Sequence, residues 1–435
     1  MTSAGEQTQP KLDADLVIAG GGLAGATLAL AVARLLPQLK VIVVEAFPLS
    51  DDALPDDYQP SYDARATALA WGSRLIYEDL GLWPELARQA TPIRHIHVSD
   101  RGRFGATRMA AEEHRQEALG YVVDNRWMGL CLMARLRQCP NLSWRAPARV
   151  TGVERLPGGV SVAVTDDGAD TATPLRAQCL VVADGGRSGL REQLGFQVAR
   201  HDYGQHALIA NVSTDRSHDF VAYERFTDAG PMALLPAGGP GRPGTDAGLV
   251  WTLSGQQLDT LLACDDEARC RLLQARFGWR LGRFTRIGPC AHYPLVLHTV
   301  AEMVQPGVAL VGNAAHTLHP VAGQGFNLAL RGLMTLVESF AEARRQGQSL
   351  GDLTVLRRYQ EQHRADWQRT VRFSDSLIQI FGSQVSAVAA ARDLGLVGLD
   401  LVPGLRRWFG RQAMGVGGRR ATRTGAAAQG VRHER

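Results

Sequence analysis

The chain has 435 residues, 45% of them apolar and 21% charged, with a formal net charge of +4. Single cores rarely grow beyond about 250 to 300 residues, so this length predicts two domains, and the composition excludes a largely unfolded chain. The cations are almost all Arg, with Lys only at Lys11 and Lys40, a spread that reads as base composition and excludes a nucleic-acid-binding stripe. Six cysteines, at 131, 139, 179, 264, 270 and 290, form no CxxC pair and have no His at zinc spacing, which predicts free thiols, a reducing compartment and no metal. Leu16–Ala19, the first apolar run, is too short for a leader or a span, so a cytoplasmic location is expected.

In chain order, Asp15–Ala19 reads as a buried parallel strand, GGGLAG follows at 20–25, and an Ala/Leu-rich helix runs over 24–35. In such a strand–turn–helix, Gly20 permits the tight turn, Gly22 lets a pyrophosphate approach the backbone, and Gly25 lets helix pack on strand. A second strand, Val41–Val44, ends at Glu45, placed to accept hydrogen bonds from ribose hydroxyls and unsuited to a 2′-phosphate. The motif predicts dinucleotide binding without separating FAD from NAD. Further on, LVVADGGRSGLR at 180–191 is an apolar strand running into an Asp-Gly turn, a common structural device when it stands alone. The strand Val308–Val311 then meets a polar loop, and Gly323, Gln324 and Gly325 open a helix whose unpaired amides and dipole favour negative charge. The segment 371–402 is apolar on more than one face; core packing is the simpler reading, with docking to a membrane surface or a protein partner the alternative. Residues 415–435, rich in Gly, Ala and Arg, are expected to be a disordered tail.

The segment at 180–191 resembles the second conserved motif of the flavoprotein monooxygenases. ALVGNAAHTLHPVAGQGFNLALRGL at 309–333 resembles the fingerprint of the ubiquinone-biosynthesis hydroxylases, a subgroup of the para-hydroxybenzoate hydroxylase-like family. DARATAL at 63–69, GYVVDNR at 120–126 and ERFTDAGPMALLP at 224–236 extend the likeness over about residues 15 to 410. Two positions depart from the pattern: Asn313 stands where most members carry Asp, and Gly332 where Asp often follows Arg.

The resemblance implies an α/β fold. A doubly wound Rossmann-type FAD domain is expected from 12–85, 117–200 and 285–370, with an inserted, mostly antiparallel substrate sheet from 86–116 and 201–284. A C-terminal helical region would occupy 371–414. It implies FAD held by Gly20, Gly22, Gly25, Glu45, Arg65, Arg126 (or Asn125 beside it), Asp184, Gly185, Asn313, Pro320, Gly323, Gln324, Gly325 and Asn327, with NADH or NADPH binding transiently near Arg65 and Asp184. The implied chemistry captures O2 as a flavin C4a-hydroperoxide and transfers one oxygen atom to a prenylated phenol. The TLHP and GNAA details favour C1 of 2-polyprenyl-6-methoxyphenol over the other ring positions. His316 and His319 are weak candidates for a general base on the phenol; the commoner role of loop histidines is to bond carbonyls and hold the loop. An isoprenoid flavin reductase and a noncatalytic flavoprotein within a ubiquinone-enzyme assembly are the rival readings.

Overall fold

The computed structural model describes residues 11–416 apart from 50–53, 56–64, 104, 187, 228–229, 240, 242–243, 318–322, 383–394, 396–397 and 399–400. The strand Ala14–Ala19 lies at the centre of a parallel sheet because Leu16, Val17 and Ile18 are apolar on both faces and completely buried. Such strands carry continuous apolar runs rather than alternation, since helices cover both sides. Each buried Leu, Ile or Val contributes about 1.5–3 kcal/mol. Thr173–Val182 flanks it on one side and Val41–Val44 on the other; Val308–Leu310 and Leu142–Arg145 extend the parallel set outward. An antiparallel hairpin, Ala148–Leu156 with Gly159–Asp166, continues from Thr173–Val182. Helix Leu23–Leu35 packs against helices Asn125–Leu136 and Gln324–Arg345, and the latter against the long helix Leu353–Gly382.

A second sheet is antiparallel except where Val221–Thr227 runs parallel to His95–Asp100. Its own core includes Leu208, Val212, Met232, Leu249 and Trp251, packed with residues of helices Gly255–Leu262 and Asp266–Phe277. A three-stranded sheet, Ala66–Ala70, Gly120–Asp124 and Thr91–Ile93, lies between the two. Ile93 and Val122 pack there on Ala222 of the second sheet, which joins the bodies through an apolar contact.

The boundaries fall differently from those expected. Ala291–Val300, placed with the FAD domain, pairs with Val198–Thr214 from Val198↔Val300 to Ile209↔Ala291 and so belongs to the second sheet. Conversely, the end of helix Trp83–Ala87 from Leu86 onward and strand Thr91–Ile93, placed with the second sheet, stay with the first body, where Leu86 is buried. At the far end, helix Pro403–Ala413 returns to the main body: Met414 is buried and its carbonyl accepts from the Gly72 amide at 2.8 Å. Residues 417–435 lie outside the described residues.

Candidate functional site

The parallel register aligns Ala19 with Val44 and with Val182, and Val182 with Leu310. The glycine turn, Glu45, the Asp184–Gly185 turn and the Gly312–Asn313 loop therefore leave side by side from the carboxyl edge of one sheet, where open α/β sheets bind ligands. Gly20 has φ +105°, and a Cβ there would lie 2.8 Å from the carbonyl of Ala183, so the turn passes the second motif only as glycine. A Cβ on Gly25 would overlap the carbonyl oxygen of Gly20, which fixes how closely the helix sits on the turn. Gly22 is the opposite case: nothing lies within 4 Å of its Cβ position, and no side chain caps the helix it begins. Gly185 and Gly325 face the same kind of open space.

Glu45 accepts from the Gly21 amide at 2.6 Å through Oε2 and from the Phe47 amide at 3.0 Å through Oε1. The carboxylate thus stiffens the turn while each oxygen keeps a lone pair for a hydroxyl. Asp184 builds its own turn, accepting from the Gly186 amide at 2.8 Å, the Ser188 amide at 3.3 Å and the Ser188 hydroxyl. Arg191, quoted in the motif but given no role from sequence, is buried; its Nη1 donates to the Ala314 carbonyl at 3.2 Å. Its Nη2 donates to Glu192 at 2.7 Å, so the residue ties the second motif to the third.

In the third motif, Gly312 passes the start of helix Leu23–Leu35, 3.5 Å separating its Cβ position from Ala24, and the Asn313 side chain is exposed at the sheet edge. Gly323 takes φ +60° immediately before helix Gln324–Arg345, whose first residue, Gln324, is buried. Asn327 faces inward. It accepts from the Ala70 amide and the Ser73 hydroxyl and donates to the carbonyls of Ala68 and Gly323, all within 2.7–2.9 Å, so its side chain pins the 66–73 segment to the loop. His319 and Pro320 lie outside the described residues.

His316 is buried at the end of the loop. Burial, then the neighbouring His363, pushes its pKa down to about 3, far too low for a base acting on a phenol. Among the described residues its Nε2 has no partner; the ring packs 5.2 Å from that of His363 and 6.1 Å from that of Trp367. His363, held down to about 4 by burial and then Arg331, stacks on Tyr359, whose hydroxyl donates to the Leu310 carbonyl at 3.1 Å. A Cβ on Gly332 would lie 2.7 Å from His363 Cε1. The glycine that departs from the family pattern therefore makes room for an imidazole that supports the loop from behind.

Arg65 and Arg126 are exposed beside each other's segments: the Asn125 amide donates to the Arg65 carbonyl at 2.9 Å, and Thr67 donates to the Asn125 side chain at 2.6 Å. Across the gap, burial raises the pKa of Tyr293 on the second sheet while the Arg65 charge lowers it. Among the described residues, no group of three His, Cys, Asp or Glu could hold a metal ion.

Residues 13–374 match the FAD binding domain family. The chain is 36% identical to the ubiquinone hydroxylase UbiL of Rhodospirillum rubrum over 402 residues, covering 92% of this chain and 90% of that one. The chain belongs to this FAD-dependent monooxygenase family. The 3-demethoxyubiquinol 3-hydroxylase of Escherichia coli is 28% identical over 92% of this chain and 98% of its own. The crystal structure of p-nitrophenol 4-monooxygenase PnpA from Pseudomonas putida superposes with a TM-score of 0.74 at 18% identity, covering 93% of this chain and 98% of that one, and shares the fold.

The residues fit the family's cofactor. Uncapped helix amides at Gly22, open space at Gly22, Gly185 and Gly325, and a carboxylate at the end of the second strand are what a dinucleotide on this sheet edge requires. Sequence reasoning missed Arg191, Tyr293 and His363. Arg191 lay within a quoted motif, whereas no pattern pointed to the other two.

Proposed function

We propose that the protein is an FAD-dependent hydroxylase of a prenylated phenol in ubiquinone biosynthesis, acting at C1 of 2-polyprenyl-6-methoxyphenol and using NADH or NADPH with O2. The observation that carries the reading is the convergence of glycine-bearing loops at the carboxyl edge of one parallel sheet, with open space at Gly22, Gly185 and Gly325. The similarity to proteins named for ubiquinone hydroxylation supports the pathway, and the GNAA and TLHP segments support the ring position.

Bound FAD supplies the redox chemistry, accepting electrons from the nicotinamide donor and activating O2 for transfer of one oxygen atom. The chain's own part is binding and electrostatics. Amides at the start of helix Leu23–Leu35 would hold the pyrophosphate, Glu45 the ribose, and the exposed Asn313 side chain the ribityl hydroxyls. The backbone at Gly323–Gly325, at the start of helix Gln324–Arg345, would favour negative charge on bound flavin. Arg65 and Tyr293 orient the phenol, and the second sheet keeps water from the reacting atoms.

Cells lacking the gene test the reading by lipid extraction and mass spectrometry. Accumulated 2-polyprenyl-6-methoxyphenol is expected. Accumulation of 2-polyprenylphenol or of a demethoxyquinol would move the ring position, and unchanged ubiquinone without a precursor would sink the pathway assignment.

A further inference from the structure

Among the described residues, the large apolar side chains left exposed are scattered singly except at one place. Leu401, Val402, Leu405 and Trp408, 72%, 46%, 52% and 57% exposed, crowd into one short stretch at and before helix Pro403–Ala413. The other side of that helix is fastened down. Phe409 packs on the main core, Gly410 lies against the His114 ring with no room for a Cβ, and Arg406 pairs with Glu113 at 2.9 Å. Met414, just beyond, is buried. The apolar side is therefore held outward by contacts on its back, and the helix cannot roll to hide it.

Soluble proteins rarely leave such clusters in water without a partner for them. Charge says which partner. Arg407 and Arg411, one helical turn apart, are both exposed beside the apolar stripe. A second copy of this chain would bring two such arginine sets together, which like-charge repulsion opposes. No described helix is long and apolar enough to cross a membrane. Short apolar faces with a central Trp and flanking Arg suit the headgroup boundary of a bilayer, where indole and guanidinium both keep their polar partners.

We propose that this face docks on an anionic lipid bilayer, with Leu401, Val402, Leu405 and Trp408 entering the interface and Arg407 and Arg411 meeting the headgroups. This surface overlaps the 371–402 segment considered from sequence at Leu401 and Val402 and narrows the docking alternative raised there to helix Pro403–Ala413 and the residues just before it. It does not rest on the ring chemistry, although a prenylated substrate dissolved in the same bilayer would give the contact a use.

Flotation of the full-length, FAD-loaded protein with vesicles tests it, comparing phosphatidylcholine alone with phosphatidylcholine containing about one-third phosphatidylglycerol. Wild type is expected to float with the anionic vesicles, less so as salt rises. L405E and W408E should each weaken binding by about tenfold or more. R407E combined with R411E should abolish the preference for anionic vesicles. These positions are exposed, so all variants should keep the wild-type thermal midpoint and FAD content. Three results would overturn the proposal: wild type that stays unbound in both lipids, variants that float like wild type, or a wild-type dimer that W408E dissociates, which would give the face to a second copy. None of these readouts depends on turnover, so failure of the hydroxylase reading would show separately.

Discussion

Two glycines a few residues apart separate structure from cofactor binding. Gly25 has no room for a side chain against the Gly20 carbonyl, so Gly25→Ala must displace the helix from the turn and is expected to cost about 1–3 kcal/mol of stability even in FAD-free protein. Gly22 has φ −63° and nothing within 4 Å, so Gly22→Ala should lower FAD-free stability by about 1 kcal/mol or less, the cost of a poorer N-cap. The same substitution puts a methyl group where the pyrophosphate would approach, and FAD retained after purification should fall by about tenfold or more. Equal FAD loss in Gly22→Ala and wild type under dialysis would remove Gly22 from the cofactor site. The tight turn at Gly20 and the close helix packing at Gly25 were legible in sequence because a glycine between a strand and a helix has few physical reasons to be there. The role of His316 was not, because its fate depends on a ring that arrives from helix Leu353–Gly382, and loop sequence carries no trace of that neighbour.

At the scale of elements, the support behind the loop is a column of rings, Tyr359, His363 and Trp367 from helix Leu353–Gly382 and His316 from the loop, with His363 lying against Gly332 of helix Gln324–Arg345. Both histidines are neutral when folded, with pKa values near 3 and 4 against an ordinary 6.5. The sign follows from linkage: above about pH 6.5 neither state binds the protons, and between there and about pH 4 the unfolded chain binds them while the fold does not. Stability should therefore fall as pH drops through this window. His363→Phe keeps the ring and removes one titrating group, so the loss of thermal midpoint between pH 7.5 and pH 5 should shrink; an unchanged pH dependence would mean that other groups dominate. The parallel strands and the glycine-turn helix were readable from continuous apolar runs. Ala291–Val300 was not assigned to its sheet, since a partly exposed strand that changes bodies has the same local pattern as one that does not.

At the scale of the whole molecule, the question is what two bodies joined at Ile93, Val122 and Ala222 accomplish that one could not. The first carries the glycine loops at its sheet edge, and the second carries Tyr293, 40% exposed on strand Ala291–Val300. A phenol held protonated at neutral pH can donate a hydrogen bond, and one anchored on the second sheet can orient a substrate without touching the cofactor loops. Tyr293→Phe should then leave FAD content and thermal midpoint near wild type, because neither the parallel sheet nor the loops lose a contact. NAD(P)H oxidation should persist, while hydroxylated product formed per NAD(P)H consumed falls by about tenfold and hydrogen peroxide rises to match, the signature of a substrate no longer held in line. Arg65→Ala should add a weaker response to the donor, since that guanidinium stands on the cofactor side of the gap. Full coupling in Tyr293→Phe would place the substrate elsewhere on the second sheet. Loss of FAD in that variant would show instead that the two bodies depend on each other for cofactor binding and not only for orienting the phenol.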